Sequence, residues 1–339
     1  MNIRPSSFDE FIGNNRSKEI VKAQLSYSME TGEPIKHMLF NGYPGTGKTS
    51  LANILANHFK NVNIIEELGN NITTSKDIWD NIFSKMFNHE SNGSSIFDFL
   101  IGMFVPSKIS KSILLNLTDN SKLKSLNKKH IVILDEIDTI PKTVSKLFFR
   151  SLEDGVFMYK GDTIKLPDFT LIACCNDKGL MHLALLRRFM DIKFERYSPE
   201  EIYKIAENTI NKLKINITED GIKEISKRSR LNPSNCNSLI QIIQSFQIRD
   251  GLNTINKDKV IKYMNFLGID DNGLKDEDRS ILELLNKSKN NTLSSQSICS
   301  ILGIDKKEFE LIISPFLLQM GLIEISPRGR SLTNKGRIY

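Results

Sequence analysis

Short apolar runs alternate with amphipathic stretches along the first 197 residues. Runs typical of buried strands occupy residues 37–41, 62–65, 131–135, 169–176 and 191–195. Apolar residues recur at helical spacing at 50–58 and 142–153, and a pattern at 156–166 predicts a hairpin that turns at 160–162. We therefore predict a core of strands and helices, preceded by a helix that Asp9 or Asn14 caps.

The pattern changes after residue 197. Ser198 followed by Pro199 is a helix-start signal, and apolar residues at helical spacing continue to residue 268. A polar linker follows at 270–273, and residues 274–339 combine three predicted helices with a short hairpin whose turn is 327–330. The pattern indicates a small helical domain and then a winged helix, a variant of the helix-turn-helix.

Residues 66–129 fit neither pattern. Apolar residues at 79–87 have helical spacing, residues 96–105 are almost wholly apolar, and residues 107–129 hold six lysines against one acid, Asp119. The stretch is either a small helical insert with a solvated lysine face or an apolar contact patch beside a DNA-facing basic segment. The sequence leaves both interpretations open.

Composition limits the class of protein. The chain has 339 residues, which is enough for two or three packed domains. Charged residues make up 25% of it, and the net charge is +6. The sequence shows no bilayer-spanning apolar run, no signal-peptide pattern and no metal-ligand spacing among its four cysteines. We expect a cytoplasmic protein without membrane attachment, whose mild basicity permits an acidic partner such as DNA without demanding one.

Residues 42–49 match the phosphate-loop pattern G-x-x-x-x-G-K-[ST]. A predicted strand precedes the loop and a predicted helix follows it, which is the context that the motif needs. The helix N-terminus attracts phosphate, Lys48 can reach the terminal phosphates, and the Thr49 hydroxyl can hold Mg²⁺. We predict a site for ATP and Mg²⁺ formed by Gly42, Tyr43, Pro44, Gly45, Thr46, Gly47, Lys48, Thr49 and Ser50.

Polar residues end two further predicted strands. Asp135 and Glu136 resemble a Walker B element, in which Asp135 would help to hold Mg²⁺ and Glu136 would orient and deprotonate the attacking water. The alternative is a strand that runs into an acidic turn. Asn176 could position the water or contact the terminal phosphate, and its alternative is an asparagine that begins a turn.

Two pairs of arginines have candidate roles beyond the loop. Arg187 or Arg188 could reach the γ-phosphate of a neighbouring subunit in a ring, or both could be ordinary surface residues. Arg328 and Arg330 lie on the turn of the predicted wing, where they could grip DNA phosphates without reading bases. The alternative for this domain is a winged helix used for protein contact.

Together these motifs resemble the RuvB family, the AAA+ motors of Holliday junction branch migration. The likeness covers nearly the whole chain apart from residues 66–129, and it rests on residues 4–13, 42–54, 135–137, 166–172, 197–201, 316–323 and 327–330. The resemblance implies an α/β fold with an AAA+ P-loop core at 1–197, a helical lid at 198–270 and a winged-helix DNA-binding domain at 271–339. It further implies that Arg4 and Ile12 lie in a segment closing over the adenine, that Tyr197 lies near the base, and that the chain forms a hexameric ring on duplex or four-way-junction DNA.

The chain departs from the family pattern at several positions. The family's lid helix begins Gly-Thr-Pro-Arg, with the arginine on the γ-phosphate, whereas this chain has Leu231-Asn-Pro-Ser234, and Arg228 or Arg230 would replace that arginine only with rearrangement. Leu186 stands where the first finger arginine is usual, and Asp138 where a histidine commonly follows Asp-Glu-Ile. The hairpin at 156–166 is shorter than the family hairpin that docks RuvA, which leaves a RuvA-like partnership open.

The sequence therefore leads to three hypotheses. The first is an ATPase of the helicase class that moves duplex or branched DNA during recombination, repair or replication. The second is an ATP switch like a clamp loader or helicase loader, which the absent lid arginine and the apolar stretch at 96–105 favour. The third is a DNA-bound regulatory subunit that barely hydrolyses ATP, which the intact Asp135 and Glu136 oppose.

Overall fold

The computed structural model describes residues 3–59, 62–87 and 129–339. Within residues 3–194 its strands are β1 (Met38–Asn41), β2 (Val62–Leu68), β3 (Lys129–Asp135), β4 (Val156–Tyr159), β5 (Asp162–Lys165), β6 (Phe169–Cys175) and β7 (Met190–Lys193). Five of them form one parallel sheet in the order β2-β3-β6-β1-β7. All five therefore present their carboxyl ends at one edge.

Helices cover both faces of this sheet. They are Asn15–Thr31, Lys48–Asn57, Ser75–Ile78, Ser84–Phe87, Lys142–Ser145, Phe148–Glu153 and Leu183–Leu186. Alternate residues of β3 enter the two apolar layers: Val132 and Leu134 pack on one side, and Ile131 and Ile133 on the other. A strand buried on both faces explains why this run is continuously apolar.

The first part of the stretch at 66–129 belongs to this core. Residues 66–68 complete β2, and Ser75–Ile78, a π-helical turn at Trp79–Phe83 and Ser84–Phe87 form one continuous helical segment. Trp79, Ile82, Phe83 and Met86 of this segment are buried in one of the two apolar layers. The predictions for 96–105 and for the lysines up to residue 128 lie outside the described residues, and Lys129 begins β3.

Two local predictions for the core need correction. The helix predicted at 142–153 is divided into Lys142–Ser145 and Phe148–Glu153. Asn14 occupies the N-cap position of the first helix, but its φ is 47° and its side chain caps nothing. Its Oδ1 instead accepts from the backbone N–H of Glu195 at 2.6 Å, so this asparagine ties the N-terminal segment to the end of the core.

The predicted hairpin is present as β4 and β5, which pair antiparallel from Val156–Lys165 to Tyr159–Asp162. Lys160 and Gly161 alone form the turn, and both have positive φ, 51° and 89°. This is the geometry of a two-residue primed turn, whose twist matches that of the strands. The tip is therefore a lysine and a glycine.

Four helices form the second domain: Pro199–Leu213, Glu219–Arg228, Pro233–Arg249 and Lys257–Phe266. Ser198 caps the first of them by accepting from the Glu201 backbone N–H, while the Glu201 side chain returns to the Ser198 N–H. This reciprocal pair is a capping box. The helix start at Ser198 with proline in the first turn is as the sequence predicted. The four helices enclose their own apolar cluster.

Residues 274–339 form a winged helix. Its helices are Asp276–Lys287, Ser295–Leu302, a continuous helix over 306–319 with a π-helical turn at Phe309–Ile313, and Asn334–Ile338. A three-stranded antiparallel sheet has the order β8 (Thr292–Leu293), β10 (Gly329–Leu332), β9 (Ile323–Ser326). Among the described residues, no helix has the length and apolar character that a membrane span requires.

Candidate nucleotide-binding site

Polar side chains converge at the carboxyl edge of the parallel sheet. The loop after β1 leads into the helix Lys48–Asn57, Asp135 ends β3 with Glu136 directly after it, and Asn176 follows β6. Because β3, β6 and β1 are neighbours in the sheet, these side chains lie close together. The structure thus brings together the residues that the phosphate loop and the two polar strand ends predicted.

Lys48 is the most strongly engaged side chain of the loop. Its Nζ donates to the backbone oxygens of Gly42 at 2.8 Å and Tyr43 at 2.9 Å, and to Oδ1 of Asn176 at 2.9 Å. Burial lowers the pKa of Lys48, and the carboxylate of Asp135 is among the groups that oppose this shift. Oδ1 of Asn176 therefore lies against the ammonium of the phosphate-loop lysine.

Thr49 and Asp135 form a hydroxyl–carboxylate pair, with 2.6 Å between Thr49 Oγ1 and Asp135 Oδ2. The other carboxylate oxygen, Oδ1, accepts from the backbone N–H of Glu136 at 3.0 Å. Mg²⁺ prefers such oxygen ligands and keeps several waters, so it needs few protein ligands when phosphates are also bound. The pair fits this ion, and no cluster of three or more His, Cys, Asp or Glu side chains suited to a metal occurs elsewhere in the described chain.

Glu136 adopts a left-handed backbone conformation, with φ of 53°. Its Oε2 accepts from Nδ2 of Asn70 at 2.8 Å. Gly69 makes this approach possible, because a Cβ there would lie 2.2 Å from the Glu136 backbone oxygen. Asn70 was missed in the sequence because β2 was predicted to end at residue 65; with the true end at Leu68, Asn70 is another polar residue after a parallel strand.

Asp138 holds the turn that carries Asn176. Its two carboxylate oxygens accept from the backbone N–H groups of Asn176 at 3.4 Å and Asp177 at 3.2 Å. The side chain is buried, so these backbone donors offset the cost of desolvating it. The aspartate that stands where the family commonly has a histidine thus serves to position Asn176.

A cavity of about 420 Å³ opens beside these residues, between the core, the N-terminal segment and the second domain. Its lining includes the predicted residues Arg4, Ile12, Pro44, Gly45, Thr46, Gly47, Lys48, Thr49, Ser50, Asp135, Glu136, Asn176 and Tyr197. Gly42 and Tyr43 do not line it: the Gly42 backbone oxygen accepts from Lys48, and Tyr43 packs under the guanidinium of Arg196 at 4.1 Å. The other residues predicted to bind the nucleotide thus meet at one cavity, and Tyr43 faces the opposite, outer side of the loop.

Tyr197 joins the phosphate loop to the second domain. Its hydroxyl donates to the backbone oxygen of Thr46 at 3.0 Å, and burial raises its pKa to about 12. Lys212, on the first lid helix, makes a second link by pairing with Glu10 of the N-terminal segment at 2.8 Å. Sequence offers no signal for that pair, because its partners are separated by 202 positions.

Among the described residues, no arginine of the second domain lines the cavity. Ser234 lines it at the position where the family has arginine. Arg228 is buried in the lid, where it pairs with Glu224 at 2.8 Å and with Asp271. Arg230 pairs with Asp278 and lies over the ring of Phe316 at 4.5 Å. Both arginines that the sequence offered as replacements are therefore engaged elsewhere.

Arg187 and Arg188 differ in their surroundings. Arg188 donates to the backbone oxygens of Phe149 at 3.2 Å and Ala184 at 2.5 Å, and pairs with Glu153. Arg187 is exposed, and no such contact holds it within the described residues. Both lie away from the cavity of their own subunit.

The two arginines of the wing also separate. Arg328 is exposed on the turn between β9 and β10. Arg330 turns inward, donating from Nε to Ser314 Oγ at 2.7 Å and from Nη2 to Glu310 Oε2 at 2.8 Å. Neighbouring acceptors on the helix over 306–319 therefore hold Arg330, whereas Arg328 is exposed on the turn.

The fold and the site define a P-loop nucleotide-binding protein that carries a helical lid and a winged helix. Three family models match in chain order: the Holliday junction DNA helicase RuvB P-loop domain at 3–90, the RuvB AAA lid domain at 197–270 and the RuvB C-terminal winged helix domain at 271–339. The chain belongs to the RuvB family.

Relatives and solved structures agree with this assignment. The chain is 30% identical to the Holliday junction branch migration complex subunit RuvB of Nitratiruptor sp., over 98% of this chain and 90% of the relative. It is 29% identical to the subunit of the same name from Fusobacterium nucleatum, over 98% and 91%. The structure of the Thermotoga maritima RuvB Holliday junction branch migration motor superposes with a TM-score of 0.77 at 26% identity, covering 99% of this chain and 97% of that one.

Proposed function

We propose that this chain is an ATP-driven motor that moves branched DNA, of the Holliday junction branch migration type. One observation carries the proposal: Lys48, the Thr49–Asp135 pair and Glu136 line a single cavity that the lid also borders. The chain also has a winged helix and belongs to a family whose named members are branch migration subunits. We place its action in the cytoplasm, on duplex or four-way-junction DNA.

In this proposal, ATP binds with its phosphates on the loop and its base between the N-terminal segment and the lid. Thr49 and Asp135 hold Mg²⁺, which when bound neutralises phosphate charge. Lys48 exchanges its backbone acceptors, the oxygens of Gly42 and Tyr43, for terminal phosphate oxygens. Glu136 takes a proton from the attacking water, and Asn176 keeps Lys48 aligned at 2.9 Å.

The catalytic site is completed by a neighbouring copy of the chain. Among the described residues no lid arginine lines the cavity, and Lys48, on the phosphate loop, is the cation of the same subunit that we assign to the terminal phosphates. Arg187, exposed and without local partners among those residues, is the better candidate to reach the neighbour's γ-phosphate, because Arg188 is held within its own subunit. A homo-oligomeric ring, a hexamer by resemblance, supplies that geometry.

DNA contact in this proposal comes from the wing. Arg328 is exposed and can neutralise a backbone phosphate without reading base identity. The hairpin β4–β5 ends in Lys160 and Gly161, and it offers no apolar tip of the kind that docks RuvA in the family. We therefore propose that this hairpin binds a partner of different chemistry or binds no partner.

An ATP switch of the loader type is the second candidate. The observation that favours it is Ser234, since a serine at the arginine position weakens the coupling of lid closure to hydrolysis. A loader binds ATP tightly and turns it over slowly unless its protein target is present. A stable complex with a sliding clamp or a replicative helicase would distinguish it from the motor.

ATP turnover by the full chain tests the proposal. It is measured alone, with linear duplex and with a four-way junction, with Lys48→Ala as the blank. We expect turnover that DNA stimulates, the junction most. Tight ATP binding with turnover that neither DNA stimulates would contradict the motor and favour the loader or the weakly hydrolysing regulatory subunit.

A further inference from the structure

The outer side of the phosphate loop rests on one side chain of the lid, Asn232. Its Nδ2 donates to the backbone oxygen of Pro44 at 2.8 Å. The loop packs against the same amide at Gly45, where a Cβ would lie 2.5 Å from Asn232 Oδ1. Because Gly45 has φ of 75° and no side chain, the amide can approach the loop this closely.

The same amide also begins a lid helix. Asn232 Oδ1 accepts from the backbone N–H of Asn235 at 3.1 Å, so the residue is the N-cap of Pro233–Arg249. One side chain thus uses its acceptor for the helix and its donor for the phosphate loop. The two roles belong to different atoms, so substitution can separate them.

The residues before Asn232 are held in an uncommon conformation. Arg230 and Leu231 both have left-handed backbones, with φ of 60° and 52°. Leu231 stands where the family's lid helix has glycine, so this chain accepts strain that a glycine would avoid. Contacts from the winged helix hold the strained pair, because Arg230 donates to the Gly273 backbone oxygen at 2.9 Å, pairs with Asp278 and lies over Phe316.

A second bridge joins the same side of the loop to the winged helix. Arg196 lies over the ring of Tyr43 at 4.1 Å and donates to Gln319 Oε1. A smaller cavity of about 170 Å³ separates the two bridges, and residues of the loop, the lid and the helix over 306–319 line it. On the lid side of this smaller cavity, Asn232 contacts the phosphate loop. Ser234, which stands where the family has an arginine, offers only a hydroxyl.

We propose that Asn232 is a positioning residue for the phosphate loop, acting from the lid on Pro44 and Gly45. The proposal rests on the proposed function, since it requires that this loop bind ATP. The winged helix sets the backbone that presents Asn232, so a change in its docking is transmitted to the loop. In this chain the lid acts on the nucleotide site through the loop's outer side, in place of an arginine on the γ-phosphate.

Two substitutions remove the bridge and keep the helix cap. Asn232→Asp has nearly the same shape and caps well but has no donor for the Pro44 oxygen, and Asn232→Ser caps but is too short to reach it. The matched control is Asn256→Ser, because Asn256 caps the lid helix Lys257–Phe266 through the Lys259 N–H at 3.0 Å, remote from the loop. The measurements are titration calorimetry with a non-hydrolysable ATP analogue and Mg²⁺, kcat and KM for ATP, and thermal unfolding without nucleotide.

We expect both Asn232 variants to bind the analogue about three- to tenfold more weakly, the effect of one lost hydrogen bond. KM should rise in parallel, and Tm should stay within the range of Asn256→Ser. Unchanged affinity, or a loss seen equally in Asn256→Ser, would overturn the positioning role. If the unmodified chain binds no more analogue than Lys48→Ala does, the assignment of the phosphate loop itself fails, and the two failures are thereby distinguished.

Discussion

Nδ2 of Asn70 lies 2.8 Å from Oε2 of Glu136, so the carboxylate that would activate water already accepts a hydrogen bond from the end of β2. One oxygen of this carboxylate is therefore held at the end of β2. The contact restrains Glu136 in the chain without DNA.

Asn70→Ala should therefore raise ATP turnover in the absence of DNA. We expect an increase of about two- to tenfold, as removal of one hydrogen bond implies, with ATP affinity unchanged. Steady-state ATPase assays with and without a four-way junction provide the measurement. A fall in kcat would instead mean that Asn70 holds Glu136 in its productive position.

Glu136→Gln should bind ATP and fail to hydrolyse it. The amide retains the size of the side chain but cannot accept a proton from water, so we expect kcat to fall by about 10²- to 10⁴-fold with little change in affinity. Single-turnover hydrolysis alongside analogue binding separates the two effects. Near-normal turnover would remove Glu136 from its assigned role.

Arg187→Ala should abolish turnover in the assembled protein, by about 10³-fold or more, while each subunit still binds ATP. Arg188→Ala is the matched control, since loss of its contacts to Phe149, Ala184 and Glu153 should mainly lower thermal stability. Mixing Arg187→Ala with Lys48→Ala subunits should restore part of the activity, because some sites then combine an intact Lys48 with a neighbour's intact Arg187. No recovery on mixing would argue against action across subunits.

Arg328→Ala should weaken binding to linear and junction DNA alike and reduce the slope of log K against log[salt] by about 1. Arg330→Ala should instead destabilise the winged helix by about 1–2 kcal/mol, because Ser314 and Glu310 lose a partly buried partner. Fluorescence anisotropy over a salt series, with thermal unfolding, tests both variants. Equal losses of DNA affinity at matched folding would show that Arg330 also faces DNA.

His37 predicts a pH dependence of stability. Burial lowers its pKa from 6.5 to about 4, a hydrogen bond with the Leu152 backbone partly opposing, and its Nδ1 accepts from the Leu171 N–H at 2.9 Å. As pH falls, the unfolded chain binds a proton at His37 before the folded chain does. The contribution of neutral His37 to stability is therefore present above pH 6.5 and is lost as pH falls toward 4. The free energy of unfolding should drop by up to about 3 kcal/mol over that window.

Denaturant unfolding at several pH values tests this expectation. His37→Gln should show a smaller drop between pH 6.5 and 4 than the unmodified chain. His182→Gln is the control, because that ring accepts from a single backbone N–H, of Ala184 at 3.2 Å. An identical pH profile for His37→Gln would exclude His37 as the source.

Local patterns predicted the elements that local sequence determines. The phosphate loop, the strand ending at Asp135 and the helix start at Ser198 each depend on residues within a few positions, and all are present. The apolar run of β2 ends at Ile65, yet pairing with β3 extends the strand to Leu68 and brings Asn70 to Glu136. The pairing of β2 with β3 therefore places Asn70 in the site, which the strand propensity of the local sequence could not predict.

Long-range contacts account for the other residues that the sequence did not predict. Lys212–Glu10 and Asn232–Pro44 join positions far apart in the chain, and only the packing of the lid on the core shows them. The choice between Arg187 and Arg188, and between Arg328 and Arg330, likewise depended on acceptors from other elements. The residue type identified these arginines as candidates, and their contacts with other elements distinguished one from the other in each pair.

The helix over 306–319 corresponds to the one that winged-helix proteins insert into the major groove. Here Leu311, Ile312 and Phe316 of that helix line the junction with the phosphate loop, and Gln319 bonds to Arg196. These residues of the helix therefore face the phosphate loop, and in the proposed motor the DNA contact is assigned to the wing. A motor that held DNA only through backbone phosphates would grip every sequence alike, so it would travel along a duplex without pausing at preferred sites.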